Sequence, residues 1–265
     1  MDSSILVVGH VCYDIRDGKK ILGGPALFMY PILKQVFDKV DILTSAHSSF
    51  PFPKGANIHL IPSELTTVFK YQDNCSEDRC ISLKSRATDI DRFPQDSYDV
   101  VVVSGIAGEI RPDTLKTLSA LGTLSFIDMQ TLVRTFNSEG KLEIKKDDNL
   151  KIAQSNFDFI KASDQEVTGF PNKCIVTSKE KIDANFGRLI SVKNQVNNNP
   201  LDTTGSGDVF LSGFVISYYL TNELEYSLRF GASLAEENVK YYGIATEEGY
   251  TEQIDQLRAK SSEYP

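Results

Sequence analysis

The sequence predicts a layered α/β domain built on a largely parallel sheet. Three observations carry that expectation. Short β-branched runs recur along the chain, several are apolar on both faces, and segments with apolar spacing of three and four separate them. Such alternation belongs to strand–helix–strand units. A chain of 265 residues, 41% hydrophobic and 24% charged, can bury a full core as one domain without disulfides or metal staples.

In chain order, strands are expected over 5–8, 40–43, 57–61, 100–103, 124–127, 157–160 and 174–177. Each is a short apolar run bounded by turn residues. Helices are expected over 26–37, 111–121 and 150–156, where apolar residues recur at three and four. One region breaks the rhythm. Segments 66–71 and 80–84 flank a polar tip at 72–79 and predict a hairpin, which with 14–22 would form a small projecting sheet. That sheet is either a lid over a strand-end site or an ordinary edge hairpin. In parallel sheets ligands bind beyond the carboxyl ends of the strands, so the residues that follow each strand matter most.

Charge and cysteine usage exclude several classes. The formal balance of −8 gives no reason to expect a nucleic-acid partner. The longest apolar stretch, 209–220, holds two serines and a glycine and falls short of the roughly 20 residues of a membrane span. Met1-Asp2-Ser3-Ser4 lacks the basic start of a secretory signal, so a cytoplasmic protein is expected. Cys12, Cys75, Cys80 and Cys174 form no C-x-x-C pair and lie far in sequence from His10, His47 and His59, which argues for reduced thiols and against structural zinc.

The most informative stretch is Leu201-Asp202-Thr203-Thr204-Gly205-Ser206-Gly207-Asp208-Val209-Phe210. Two glycines around Ser206 let backbone amides point inward, and a helix starting near Asp208 adds the positive end of its dipole. The turn is therefore an anion site. Asp208 sets a carboxylate beside it, able to take a proton from an attacking hydroxyl while the amides stabilise a transferring phosphoryl group. An aspartate at a helix start also serves simply as a cap.

The whole run resembles the signature of the ribokinase-like, or phosphofructokinase-B, carbohydrate kinases, D-T-T-G-A/S-G-D-x-F, at every position. The order of parts over about residues 5–245 is similar too: a first strand leading to Asp14, a Gly23-Gly24 turn into a helix, a lid, and the catalytic run late. This resemblance implies a ribokinase-like three-layer α/β/α domain spanning 1–265, with lid segments near 14–22 and 66–84. It implies Asp208 as catalytic base and Gly205, Ser206 and Gly207 as anion hole. Asp14, Gly23 and Gly24 would bind the substrate, and Thr177, Ser178 and Lys179, with Gly205 and Gly207, the nucleotide. Glu166, in place of the glutamate of the family's N-x-x-E motif, would hold Mg2+ through water. ATP would be the phosphoryl donor, with a monovalent cation as a further activator.

Ile127-Asp128-Met129-Gln130-Thr131-Leu132-Val133-Arg134 and Lys161-Ala162-Ser163-Asp164-Gln165-Glu166 look like the plant-type myo-inositol kinase branch, which carries D-I/V-Q-x-L-I/V-R and K-A-S-x-x-E there. That narrower likeness implies a neutral polyol acceptor, most simply myo-inositol, with Gln130 and Arg134 supplying hydrogen-bonding groups beside Asp14. A surface ion pair is the plainer reading of Arg134. The chain departs from the family at 177–182, where Lys179 and Ile182 replace the glycines of T-x-G-x-x-G, and near 27–29, where an expected asparagine is absent. A nucleoside or another sugar as acceptor, and a ligand-binding member with weak catalysis, are the alternatives. Small-molecule partners, and a monomer or homodimer, complete the expectation.

Overall fold

The computed structural model describes residues 2–71, 81–194 and 199–263. The tip expected at 72–79, together with Cys75 and Cys80, lies outside the described residues. In chain order the strands are β1 Ser4–Val8, β2 Cys12–Arg16, β3 Lys19–Gly23, β4 Lys39–Ala46, β5 Asn57–Pro62, β6 Thr67–Tyr71, β7 Ile81–Ser85, β8 Tyr98–Val103, β9 Gly122–Asp128, β10 Arg134–Phe136, β11 Leu142–Ile144, β12 Phe159–Ser163, β13 Cys174–Thr177, β14 Lys181–Asn185 and β15 Leu189–Lys193. The helices are α1 Pro25–Leu33, α2 Leu115–Ser119, α3 Gln130–Val133, α4 Leu150–Asn156, α5 Ser206–Thr221, α6 Leu224–Asn238 and α7 Thr251–Ser261.

The main sheet runs β15-β14-β13-β12-β9-β8-β1-β4-β5. It is parallel from β5 to β13, and β14 and β15 add an antiparallel edge. Both faces are covered, which is why the strands read as unbroken apolar runs. Ile5 and Val7 of β1 pack in one core with α1, α5, α6 and α7, while Leu6 and Val8 join the opposite core with α2 and α4. Val100 and Val102 divide from Val101 and Val103 in the same way. The order reverses at β1, whose neighbours are β4 and β8, and ligands of such sheets gather at this switch point.

Four further strands form the second sheet, β3-β2-β6-β7, at the site expected for the lid. Its β7 edge is met by the β10–β11 hairpin: Leu83 N–H donates to Gly140 O (2.8 Å), and the rings of Phe69 and Phe136 lie 5.5 Å apart. Among the described residues no helix is long and apolar enough to cross a membrane. Cys12 and Cys174 are buried and free.

Several boundaries differ from expectation. The 26–37 helix ends at Leu33 and continues as turns to Phe37. Pro112 converts the front of the 111–121 segment into a 3-10 turn, leaving only α2 as α-helix. The 157–160 strand is displaced to Phe159–Ser163, because Asp158 is used to accept hydrogen bonds from Ser125 N–H (2.9 Å) and Oγ (2.8 Å).

Candidate active site

A cavity of about 970 Å³ opens between the carboxyl ends of β9, β12 and β13, the lid sheet and the start of α5. Asp14, Gly24, Gln130, Arg134, Thr177, Ser178, Lys179, Gly205, Ser206, Gly207 and Asp208 all line it. The structure thus brings together residues scattered over nearly the whole chain. Gly23 and Glu166 do not reach its surface.

At the transfer end, Gly205 caps α5 in the left-handed region (φ +76°), and a Cβ there would run into the Phe28 ring. Asp208 follows in the first turn of the helix, where the dipole favours a carboxylate. Asp202 shapes the approach: its Oδ1 accepts Thr204 N–H (2.9 Å) and its Oδ2 accepts Gly243 N–H (3.1 Å). Asn238, buried on α6, donates to Thr204 O (3.0 Å) and is itself held by Tyr250 OH (3.0 Å). The anion turn is therefore fixed from both sides.

At the lid end, Asp14 is buried on β2. Gly23 lies in β3, which pairs with β2, and a Cβ on it would approach Asp14 Oδ2 to 2.8 Å, so the glycine makes room for the carboxylate. Burial pushes the Asp14 carboxyl above its ordinary range, against the pull of Arg16. Arg16 bridges Asp14 (3.2 Å) and Asp202 (2.6 Å) and stacks its guanidinium 4.3 Å from the Tyr71 ring centroid. Ile106 adds an apolar wall, and its amide N–H donates to the buried Glu109 carboxylate (3.0 Å), as do the amides of Ala107 (2.7 Å) and His10 (2.9 Å).

Two cations, Lys161 and Arg134, also line the cavity. Lys161 of β12 sits beside Asp128 of β9 in the parallel register, with Nζ 2.9 Å from Asp128 Oδ2. The same Nζ lies 2.9 Å from where a Cβ of Gly207 would be. Burial holds the Asp128 carboxyl above its ordinary range despite the ammonium. Arg134 donates from Nε (3.1 Å) and Nη2 (2.9 Å) to Glu166 Oε1.

Glu166 is the residue expected to hold Mg2+ through water. It is fully buried, Oε1 serves Arg134, and Oε2 accepts Ser163 N–H (2.8 Å). Its carboxylate is held by a guanidinium and a backbone amide and does not line the cavity. Gln130 is nearly buried and donates its side-chain amide to Ser104 Oγ (3.0 Å).

The glycine-poor 177–182 segment is the β13–β14 hairpin. Ser178 N–H donates to Lys181 O (2.9 Å), and neither Lys179 nor Ile182 takes a positive φ, so this turn has no need of glycine. Ile182, Pro200, Ala232, Ala235 and Val239 contribute apolar lining to the same cavity.

Sequence reasoning missed Arg16, Lys161, Asp128 and Asn238. The signals were faint: Arg16 stands two residues after Asp14 and so shares its face of a strand, and Lys161 interrupts an otherwise apolar strand.

The likeness to carbohydrate and inositol kinases indicates a phosphotransferase that acts on an alcohol group. Residues 189–248 match the profile of the pfkB family carbohydrate kinases. Inositol 3-kinase of Arabidopsis thaliana is 28% identical over 241 residues, covering 80% of this chain and 67% of that protein. Among solved structures, a pyrophosphate-dependent myo-inositol-1 kinase converted into a myo-inositol-3 kinase by two substitutions superposes with a TM-score of 0.78 at 18% identity, over 96% of this chain and 99% of the other. Arabidopsis thaliana ribokinase, complexed with ribose and ATP, gives 0.65 at 13%, over 96% and 99%. These structures share the ribokinase-like fold.

Proposed function

We propose that this chain transfers the γ-phosphoryl group of ATP to a hydroxyl of myo-inositol, residues 1–265 acting as one kinase domain with a lid. The observation that carries this reading is one cavity lined by Asp208, by residues 205–207 and by Asp14. Asp208 accepts the proton of the acceptor hydroxyl as its oxygen bonds to phosphorus and the bond to the leaving phosphate oxygen breaks. The amides of the turn, the α5 dipole and Lys161 stabilise the charge gathering on the transferred group. Arg134 adds positive charge nearby. Asp14 orients the acceptor, and the lid keeps water from competing for the donor.

A carboxylate at Asp14 offers acceptor oxygens to hydroxyl donors, which suits a neutral polyol. The likeness to plant inositol 3-kinase supports a polyol over a nucleoside. The apolar lining from Ile182, Pro200, Ala232, Ala235 and Val239 supports a nucleotide base. Magnesium would arrive on the donor's phosphates, keeping most of its water shell. Pyrophosphate is a second donor reading, favoured by Lys179 in place of glycine at the cavity and by structural relatives described as pyrophosphate-dependent kinases.

The test is product formation from ATP or pyrophosphate with myo-inositol, ribose, fructose and adenosine. Selective turnover of myo-inositol with ATP, lowered roughly 10²- to 10⁴-fold in Asp208→Asn, is expected. Equal turnover in that variant overturns the role of Asp208, and selective turnover of another acceptor overturns the substrate.

A further inference from the structure

We propose that Arg16 is a positioning residue that ties the acceptor end of the cavity to the phosphoryl-transfer turn, by bridging Asp14 on its own lid strand to Asp202 at the head of the catalytic run. The inference rests on the proposed function and deepens it. Its ground is geometric. Nη2 of Arg16 donates to Asp14 Oδ2 (3.2 Å) and Nη1 to Asp202 Oδ2 (2.6 Å), across 186 residues of chain in the second case. One planar guanidinium thus serves two carboxylates, a task that its fork of donors suits and that a single ammonium does not.

Asp202 is no bystander, because its two oxygens also hold Thr204 N–H and Gly243 N–H and so set the backbone that leads into Gly205. Asp14 lines the acceptor end. The lid strand and the transfer turn therefore meet in one side chain, which is 12% exposed and packed over Tyr71. Arg16 Nε is buried without a hydrogen-bond partner among the described residues. Such a donor is costly unless the filled site gives it an acceptor oxygen. Without Arg16, two buried carboxylates face each other with no cation between them, and both ends of the site loosen.

The test uses Arg16→Met, Arg16→Lys, Asp202→Asn and the double variant Arg16→Met/Asp202→Asn. Hydrogen–deuterium exchange on the ligand-free proteins is independent of turnover. Arg16→Met is expected to speed exchange in β2 and in 202–206 together while leaving the β13–β14 hairpin as in the wild type. Unchanged exchange at 202–206, or acceleration spread over the whole molecule in both Arg16 variants, overturns the coupling. In steady-state kinetics, Arg16→Met is expected to raise the acceptor KM at least tenfold and lower kcat, with the donor KM held within twofold. Arg16→Lys should recover less than half of the loss, and the double variant should be no worse than Arg16→Met alone. Equal rises in both KM values, full recovery by lysine, or additive losses overturn the proposal. A wild type that turns over no acceptor counts against the proposed function, and the exchange measurement still decides the role of Arg16.

Discussion

Glu109 is a fully buried carboxylate that accepts the amide N–H groups of His10, Ile106 and Ala107. Burial alone would raise its carboxyl, but His10 and those amides outweigh burial and hold it below its ordinary range. A depressed carboxyl stabilises the fold above the unfolded-state pKa, and that contribution fades as pH falls through the folded value. Glu109→Gln is expected to cost about 1–3 kcal/mol at pH 7, with the gap to wild type narrowing below pH 4; urea melts at the two pH values check it. Asp14 has the opposite sign. Its carboxyl is raised, so the acid limb of acceptor kcat/KM should lie above the ordinary aspartate range, and Asp14→Asn should remove that limb and lower kcat/KM roughly ten- to hundredfold. A pH–rate profile of the two proteins measures both. At this scale the sequence is legible where function is local: residues 202–208 bend by their own chemistry. Arg16 and Lys161 are not, since the partners that define them lie on other strands.

At the scale of elements, α5 carries Asp208 and packs on α6 through glycines. A Cβ on Gly213 would approach Gly231 Cα to 2.9 Å, a spacing that only two bare backbones allow. Gly213→Val is expected to destabilise by about 1–3 kcal/mol while leaving acceptor preference unchanged, read by thermal melts beside the acceptor panel. The two-sided apolar strands β1, β8, β9 and β13 are legible as buried parallel strands because both faces meet helices. Strands β14 and β15 are harder to read, since β15 alternates and the two carry Lys181, Asp183, Ser191 and Lys193. Helix α6 is blurred as well, because Ser227, Gly231 and Asn238 occupy core positions usually given to larger apolar residues. The β10–β11 hairpin follows from no local pattern, yet it shields the β7 edge that sequence alone leaves open.

At the scale of the whole molecule, the site exists only when sheet, lid and α5 are assembled, so ligands should stabilise everything at once. A ligand at a hundred times its Kd contributes about 2.7 kcal/mol. For a chain of this size that corresponds to a rise of roughly 5–10 °C in Tm. Saturating myo-inositol is expected to produce a rise of that order in differential scanning fluorimetry, and fructose a smaller one. The separation of Arg16 from Asp202 by 186 residues has a consequence in time. At 5–20 residues per second, a ribosome that has finished Arg16 needs about 10–40 s more to make its second carboxylate partner. Throughout that interval the emerging chain holds a half-built acceptor end and no transfer turn. Under the proposed function, incomplete products cannot spend the donor, and activity switches on only as the last third of the polypeptide leaves the exit tunnel.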